Sequence, residues 1–310
     1  AGQLHRDIAV AVGYTGKSSK VLALTSMGPA DKQNNGELAQ SALVCLDTLV
    51  TTLGNDASWG KTLISFLGSG VEIAAGLLET LKVSSVADAP ASTKGRGGKK
   101  TAVAQMQKQK IPQVEMKVLA NFLLCCGTVI QSASVGPKAL SVLAQLMEAL
   151  LGTLETTKTI CIAIAEENEE NEEGTEVIDN SSTRTLALLV RSVLASIAKV
   201  VSALPRYFHP YMERTLSACL GMEVPFPGSS AGADAGAGVG VGVGGVLVAG
   251  LQAAEHAALS SEVDRCLSAV ALSVPARLAV PRLTKAVPVQ LQVSHSTALR
   301  TVRFLGHTWG

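Results

Sequence analysis

Apolar residues recur along this chain at gaps of three and four, which places their side chains on one face of an α-helix. The first such stripe is Leu43, Leu46, Val50 and Leu53. A turn at Gly54–Ser58 separates it from Ile64, Leu67, Val71, Ala74, Leu78 and Leu81. A second pair begins with Leu119, Phe122, Cys126 and Val129, turns at Gly136–Pro137 and continues through Leu140, Leu143, Met147, Leu150 and Leu154. The third runs through Leu186, Leu189, Val193, Ile197, Val200 and Leu204, breaks at Pro205 and resumes at Tyr211, Leu216 and Leu220. The fourth spans about Val246 to Val274 and meets Pro275, Pro281 and Pro288, two of which, Pro275 and Pro281, are expected to end or kink helices. Helix pairs are thus expected near 41–82, 112–156, 182–221 and 246–290, with flexible inserts near 86–110, 164–181 and 223–245.

The leading helices repeat. SALVCLDTL starts at 41, KVLANFLLC at 117, TLALLVRSVL at 185 and DRCLSAVALSV at 264, intervals of 76, 68 and 79 residues. A HEAT/armadillo helix pair of about 40 residues plus an insert of about 30 gives this spacing. Each pair buries only part of its stripe alone, so stacking completes the core. The expected fold is therefore all-α, an α-solenoid of irregular HEAT-like repeats with long disordered inserts over residues 1–310. A compact helical bundle is the alternative, and the long inserts count against it because bundle connections run about 2–8 residues.

Composition supports helices. Hydrophobic residues make up 47% of the 310, yet aromatics number only ten (two Trp, three Tyr, five Phe), leaving Leu, Val and Ala to fill the interior. Charged residues are 16% against about 25% in typical domains, and the net charge of +1 excludes a protein that coats nucleic acid over its whole surface. Charge concentrates in two runs. Residues 94–110 hold Lys94, Arg96, Lys99, Lys100, Lys108 and Lys110 with no acid, and residues 166–179 hold eight acids with no base. Outside them, 20 basic and 17 acidic residues remain, so the helical body is nearly neutral. The basic run could meet RNA phosphates, without sequence preference because it has no aromatic to stack on a base. A solvated linker is the plainer reading. The acidic run reads as a solvated loop that repels itself, since catalytic carboxylates need burial or a partner.

The six cysteines (Cys45, Cys125, Cys126, Cys161, Cys219, Cys266) show no two-residue gap of a zinc or redox motif. They are expected to be buried free thiols in a reducing compartment. The histidines His5, His209, His256, His295 and His307 are scattered, so no metal site is expected. Phosphate-loop look-alikes fail on spacing or context. Gly54 stands six residues before Gly60-Lys61-Thr62 where five are needed, Gly16-Lys17-Ser18 has Ala11 where the loop needs glycine, and Gly240, Gly242 and Gly245 follow no strand. Ala235–Ala254 is uncharged and long enough to span a bilayer, but seven of its twenty residues are Gly. A loop running into a helix is expected there. No nucleophile–base–acid arrangement stands out, and neither an enzyme nor a cofactor is expected.

Two segments resemble a family. LPRYFHPYMERTL carries Leu204, Pro205, Phe208, Pro210 and Tyr211, and LSAVALSVPARLAVPRLTKAV carries Val274, Pro275, Arg277, Leu278, Pro281, Leu283 and Lys285. Together and in this order they resemble the helix junctions of the U3 small nucleolar RNA-associated protein 10 family, the very large HEAT-repeat proteins of the small-subunit processome. Val280 and Arg282 depart from the Leu-like character expected at their positions. The resemblance implies a stretch of the C-terminal half of such a protein. It implies a non-catalytic nucleolar scaffold that acts in pre-rRNA processing and transcription during ribosome biogenesis. Its partners would be processome proteins, with U3 small nucleolar RNA and pre-rRNA in the same complex, and no membrane or small-molecule substrate. A karyopherin-like transport receptor is the rival HEAT scaffold; a membrane-anchored or nucleotide-using protein is the second rival.

Overall fold

Seven positions between 41 and 52 (Ser41, Val44, Cys45, Thr48, Val50, Thr51 and Thr52) are helical in the computed structural model. It further describes 60–86, 113–132, 135–170, 180–220, 251, 253–286 and 301–307. The helices are α1 (Gly60–Val86), α2 (Gln113–Gln131), α3 (Leu140–Glu170), α4 (Asn180–Ala203), α5 (Met212–Leu220), α6 (Ala253–Ser273) and α7 (Ala276–Ala286), followed by a helical segment at 301–307. Short 3-10 turns at Gly136–Ala139, Pro205–Tyr207 and His209–Tyr211 lead into α3 and α5. Among the described residues there is no strand, and the fold is all-α with packed helices.

The apolar stripes lie where the periodicity predicts. Leu67, Val71, Ala74, Leu78 and Leu81 of α1 are buried, as are Leu119, Phe122, Cys126 and Val129 of α2 and Leu143, Met147, Leu150 and Leu154 of α3. Leu, Val, Ile and Ala dominate this core, with Phe66, Phe122, Phe208 and Phe304 as its buried aromatics. Several buried hydroxyls are accommodated by bonding to their own helix one turn back. Thr153 donates to Ala149 O at 2.6 Å, Thr157 to Thr153 O at 2.8 Å and Thr185 to Ser181 O at 2.8 Å.

The helices form two layers. Helices α2, α4 and α6 are successive neighbours in one, termed the inner layer, and α1, α3, α5 and α7 in the other, termed the outer layer. Between layers, α1 approaches α2, α3 approaches α4 and α5 approaches α6. The most extensive packing among the described helices joins α2 to α4. It depends on small residues: a Cβ placed on Gly127 would stand 2.8 Å from Ser196 Cα. The Ser196 hydroxyl lies 2.7 Å from Leu123 O and 2.8 Å from Ser192 O, one proton shared between a carbonyl of each helix. At the N-terminal ends Gln113 Nε2 donates to Ser182 Oγ at 3.0 Å and Ser181 Oγ donates to Gln113 Oε1 at 2.8 Å. Toward the C-terminal ends Lys199 Nζ donates to Thr128 Oγ1 at 2.5 Å. Contacts at matching ends mean that α2 and α4 run parallel.

Three expectations need correction. First, helix α3 does not stop near 156 but continues to Glu170, and α4 begins at Asn180, so 164–170 and 180–181 of the expected insert are helical, while 171–179 lie outside the described residues. The physical reason is propensity: CIAIAEENEE is rich in Ala and Glu, which favour helix whatever their charge. Second, Pro281 lies inside α7 without ending it. Proline removes one backbone donor, and Pro281 and Arg277, the residue four back whose carbonyl loses that donor, are both exposed. Third, α4 is not one-faced. Ala187, Val190, Leu194, Ala195, Ala198 and Val201 are buried beside the expected stripe, because α2 and α6 flank it and α3 backs it. Helix α4 is also, among the described residues, the one helix long and apolar enough to cross a bilayer, at mean hydropathy 1.8, but 72% of that window is buried inside the protein. The expected inserts at 86–110 and 223–245 lie almost wholly outside the described residues.

Two predictions follow from the packing. Gly127→Ala is expected to destabilise by about 1–3 kcal/mol, because its methyl meets the backbone of α4. Gly68→Ala, with open space around it, is expected to stabilise by about 0.5–1 kcal/mol through helix propensity. Equal effects of the two in urea denaturation would refute the close approach. Leu150, fully buried, is expected to unfold its surroundings when changed to Asp, because a carboxylate there has no polar partner. An unchanged circular-dichroism melt would mean that Leu150 does not face the core.

Candidate interaction surface

The two family-like segments open the outer layer at its α5 and α7 members. Leu204 ends α4, its N–H donating to Val200 O at 2.8 Å, and the chain then winds through two 3-10 turns. Pro205 opens the first turn and Pro210 sits in the start of the second, positions where a missing N–H removes nothing the turn uses. Phe208, between them, is 1% exposed and anchors the junction in the core, and Tyr211 packs half-buried against it. Arg206, Tyr207 and Pro210 face outward. At the other segment Val274 closes α6, and Pro275 accepts from Leu278 N at 2.9 Å and Ala279 N at 3.1 Å to start α7. Val274 and Leu283 are buried, whereas Pro275, Arg277, Leu278, Pro281 and Lys285 are exposed.

The tertiary structure brings these segments together: α7 packs on α5, and Arg282 Nη1 donates to Glu213 Oε2 at 2.7 Å. Arg282, out of place as a Leu-like position, is thereby explained. It is the half of an ion pair that joins the two segments. One residue along, Arg214 spans to α3, with Nη1 2.7 Å from Glu148 Oε1 and Nη2 2.9 Å from Glu155 Oε1. Glu148 and Glu155 are two turns apart on α3, so one guanidinium reaches both. Hydrogen bonding to Glu148, then to Glu155, raises the Arg214 pKa further. In the inner layer Arg184 on α4 meets Glu255 on α6 at 3.1 Å, and Arg303 meets Asp264 at 2.9 Å. These pairs are exposed, and each contributes about 0.2–1 kcal/mol. They set register more than they add stability. None was legible beforehand, since their partners lie a whole helix pair apart.

Lys94, Arg96, Lys99, Lys100, Lys108 and Lys110 lie outside the described residues, as do the glycines of the Gly-Val run. Gly60, Lys61 and Thr62, the phosphate-loop look-alike, form the start of α1. No group of three or more potential metal-ligating side chains occurs among the described residues. The cysteines depart from expectation at one position. Cys125, Cys126, Cys161, Cys219 and Cys266 are buried free thiols, but Cys45 is exposed. Burial pushes the Cys126 and Cys161 thiols up from 9.0 to about 12. No family model, curated protein or solved structure matches the chain.

The thiol environments predict selective chemistry. Near pH 8 a thiol reagent is expected to modify Cys45 rapidly and the buried Cys125, Cys126 and Cys161 only after unfolding, because the thiolate is the nucleophile. Rapid native labelling of Cys126 or Cys161 would contradict their burial. A folded pKa above the unfolded value contributes stability that is complete below the unfolded pKa and is lost as pH rises through the folded one. Stability is therefore expected to decline from about pH 9 toward pH 12, with a shallower decline in Cys126→Ala, measured by urea denaturation across that range.

Proposed function

We propose that this chain is a HEAT-like α-solenoid that serves as a non-catalytic scaffold of the nucleolar small-subunit processome, supporting pre-rRNA processing and transcription. The observation that carries the solenoid reading is a recurring step between three pairs of layer neighbours. Gln113 pairs with Ser182 across 69 residues, Thr128 with Lys199 across 71, Arg184 with Glu255 across 71 and Glu213 with Arg282 across 69, while the α3–α5 pairs through Arg214 are shorter, at 66 and 59. A step of near-constant length is what a stacked repeat produces, because each unit meets the next through equivalent positions. A closed bundle has no reason to preserve it.

The processome assignment rests on the two family-like segments, which are neighbours in one layer rather than scattered. Their exposed residues offer mixed apolar and cationic surface: Arg206 and Tyr207 at one junction, Arg277, Leu278 and Lys285 at the other. Such surface suits protein partners, the main contacts expected of a scaffold. RNA contact, where it occurs, falls to the basic run at 94–110 through phosphate neutralisation. The protein works in the nucleolus, with U3 small nucleolar RNA and pre-rRNA in the same complex.

Co-purification of the tagged chain from cell extract tests this reading. Recovery of U3 RNA with early processome proteins is the expected outcome; recovery of transport cargo instead would favour the karyopherin-like alternative and sink this one. Deleting Ala91–Lys108 separates scaffold from RNA contact. Helicity and melting temperature are expected to stay nearly unchanged, since loop length affects stability weakly. Any RNA association should weaken and lose salt dependence to a similar extent for different sequences. Intact, salt-sensitive RNA binding after the deletion would move the contact to the helical body.

A further inference from the structure

Cys219 on α5 and Cys266 on α6 face one another across the layer boundary, both buried, with their Sγ atoms 3.8 Å apart. They sit 47 residues apart in sequence, on either side of the segment 221–252. We propose that these two residues are a peroxide-sensitive thiol pair that closes into a disulfide and staples α5 to α6. A disulfide bond is about 2.0 Å long, so each sulfur need move by only roughly an ångström. The inference is independent of the processome reading, since it depends on geometry alone.

The chemistry requires a hydroperoxide as oxidant. The thiolate of one cysteine attacks a peroxide oxygen, the O–O bond breaks, and hydroxide leaves to take up the released proton as water. The product is a sulfenic acid. The second sulfur then attacks the sulfenic sulfur, an S–S bond forms, and the departing hydroxide takes the second thiol proton as water. Two sulfurs lose two electrons in total, and one peroxide becomes two waters. In the closed fold this is held off. The hydrogen bond to Cys219, together with burial, raises the Cys266 pKa well above that of an ordinary thiol. A thiol kept protonated reacts slowly, so the pair stays reduced in a reducing compartment and reacts when α5 swings away from α6.

Helix α5 suits that role. It is nine residues long, shorter than each of the other six labelled helices among the described residues, and its Glu213 and Arg214 hold α7 and α3. Fixing it to α6 would tie three members of the outer layer to the inner one. The bond therefore stiffens a junction without altering the fold.

The test treats the whole reduced chain with hydrogen peroxide, then maps disulfides by proteolysis and mass spectrometry without reductant, alongside amide hydrogen exchange. The expected result is a Cys219–Cys266 linked peptide, several-fold slower exchange across 212–220 and a raised melting temperature, all reversed by dithiothreitol. Cys219→Ala and Cys266→Ala should each lose the link and the slowing. Should either variant fold poorly, the wild-type peptide map and exchange still decide. Absence of the link, pairing with other cysteines, conversion to sulfinic acid, a link that forms only in denaturant, or a link that leaves exchange over 212–220 unchanged would each overturn the proposal.

Discussion

The close approach of α2 to α4 sets the geometry of everything around it. Gly127 lets the α4 backbone come within a distance that any larger residue would forbid, and the Ser196 hydroxyl fills the gap with a hydrogen bond to Leu123 O. Sealed at both ends by Gln113 with Ser181 and Ser182, and by Lys199 with Thr128, the two helices are held parallel and in one register. With that register set, α4 has one flank committed to α2 and offers the other to α6, and α3 closes behind it. The core can then be built from Leu, Val and Ala, because close backbone approach does the filling that large aromatics do elsewhere.

Aromatic packing appears at the neighbouring interface of α2, against α1. Phe66 of α1 and Phe122 of α2 lie 5.5 Å apart, tilted by 35°. Gly70 makes room for that ring, since a Cβ there would come within 2.7 Å of Phe122 Cε1. Glycine thus acts at two neighbouring interfaces of α2, against backbone at one and against a ring at the other. The difference has consequences: a ring can shift, a helix backbone in a packed layer cannot.

Charge pairs link the outer layer in the same succession. Arg214 with Glu148 and Glu155, and Arg282 with Glu213, run along the outer layer from α3 through α5 to α7. Individually such exposed pairs are weak. Their value lies in discrimination, since a slip by one helical turn would separate every pair at once. Polar surface thus fixes register beside an apolar interior that supplies stability.

Some of this could be read from the chain directly. The helices with their apolar stripes and the breaks at Gly136–Pro137 and Pro205 depend on residues within about four positions of one another, and the recurrence of leading helices at intervals of 76, 68 and 79 residues follows from them. Helix α3 was misjudged even at that level, because a run of Glu reads as a loop by charge although its propensity is helical. What tertiary structure alone decided were relations across 47 to 73 residues. Gly127 and Gly68 look alike in sequence, yet one is pressed against a backbone and the other faces open space. Adjacent Cys125 and Cys126 invite attention, yet the sulfurs that meet are those of Cys219 and Cys266. Arg282 looked like a misplaced residue until α7 came to rest on α5 and gave it Glu213. Local periodicity encodes which face of a helix is apolar, but it carries no information about which other helix will cover that face or at what depth. Those are settled by the packing of the whole, where each contact exists only because the others hold it in place.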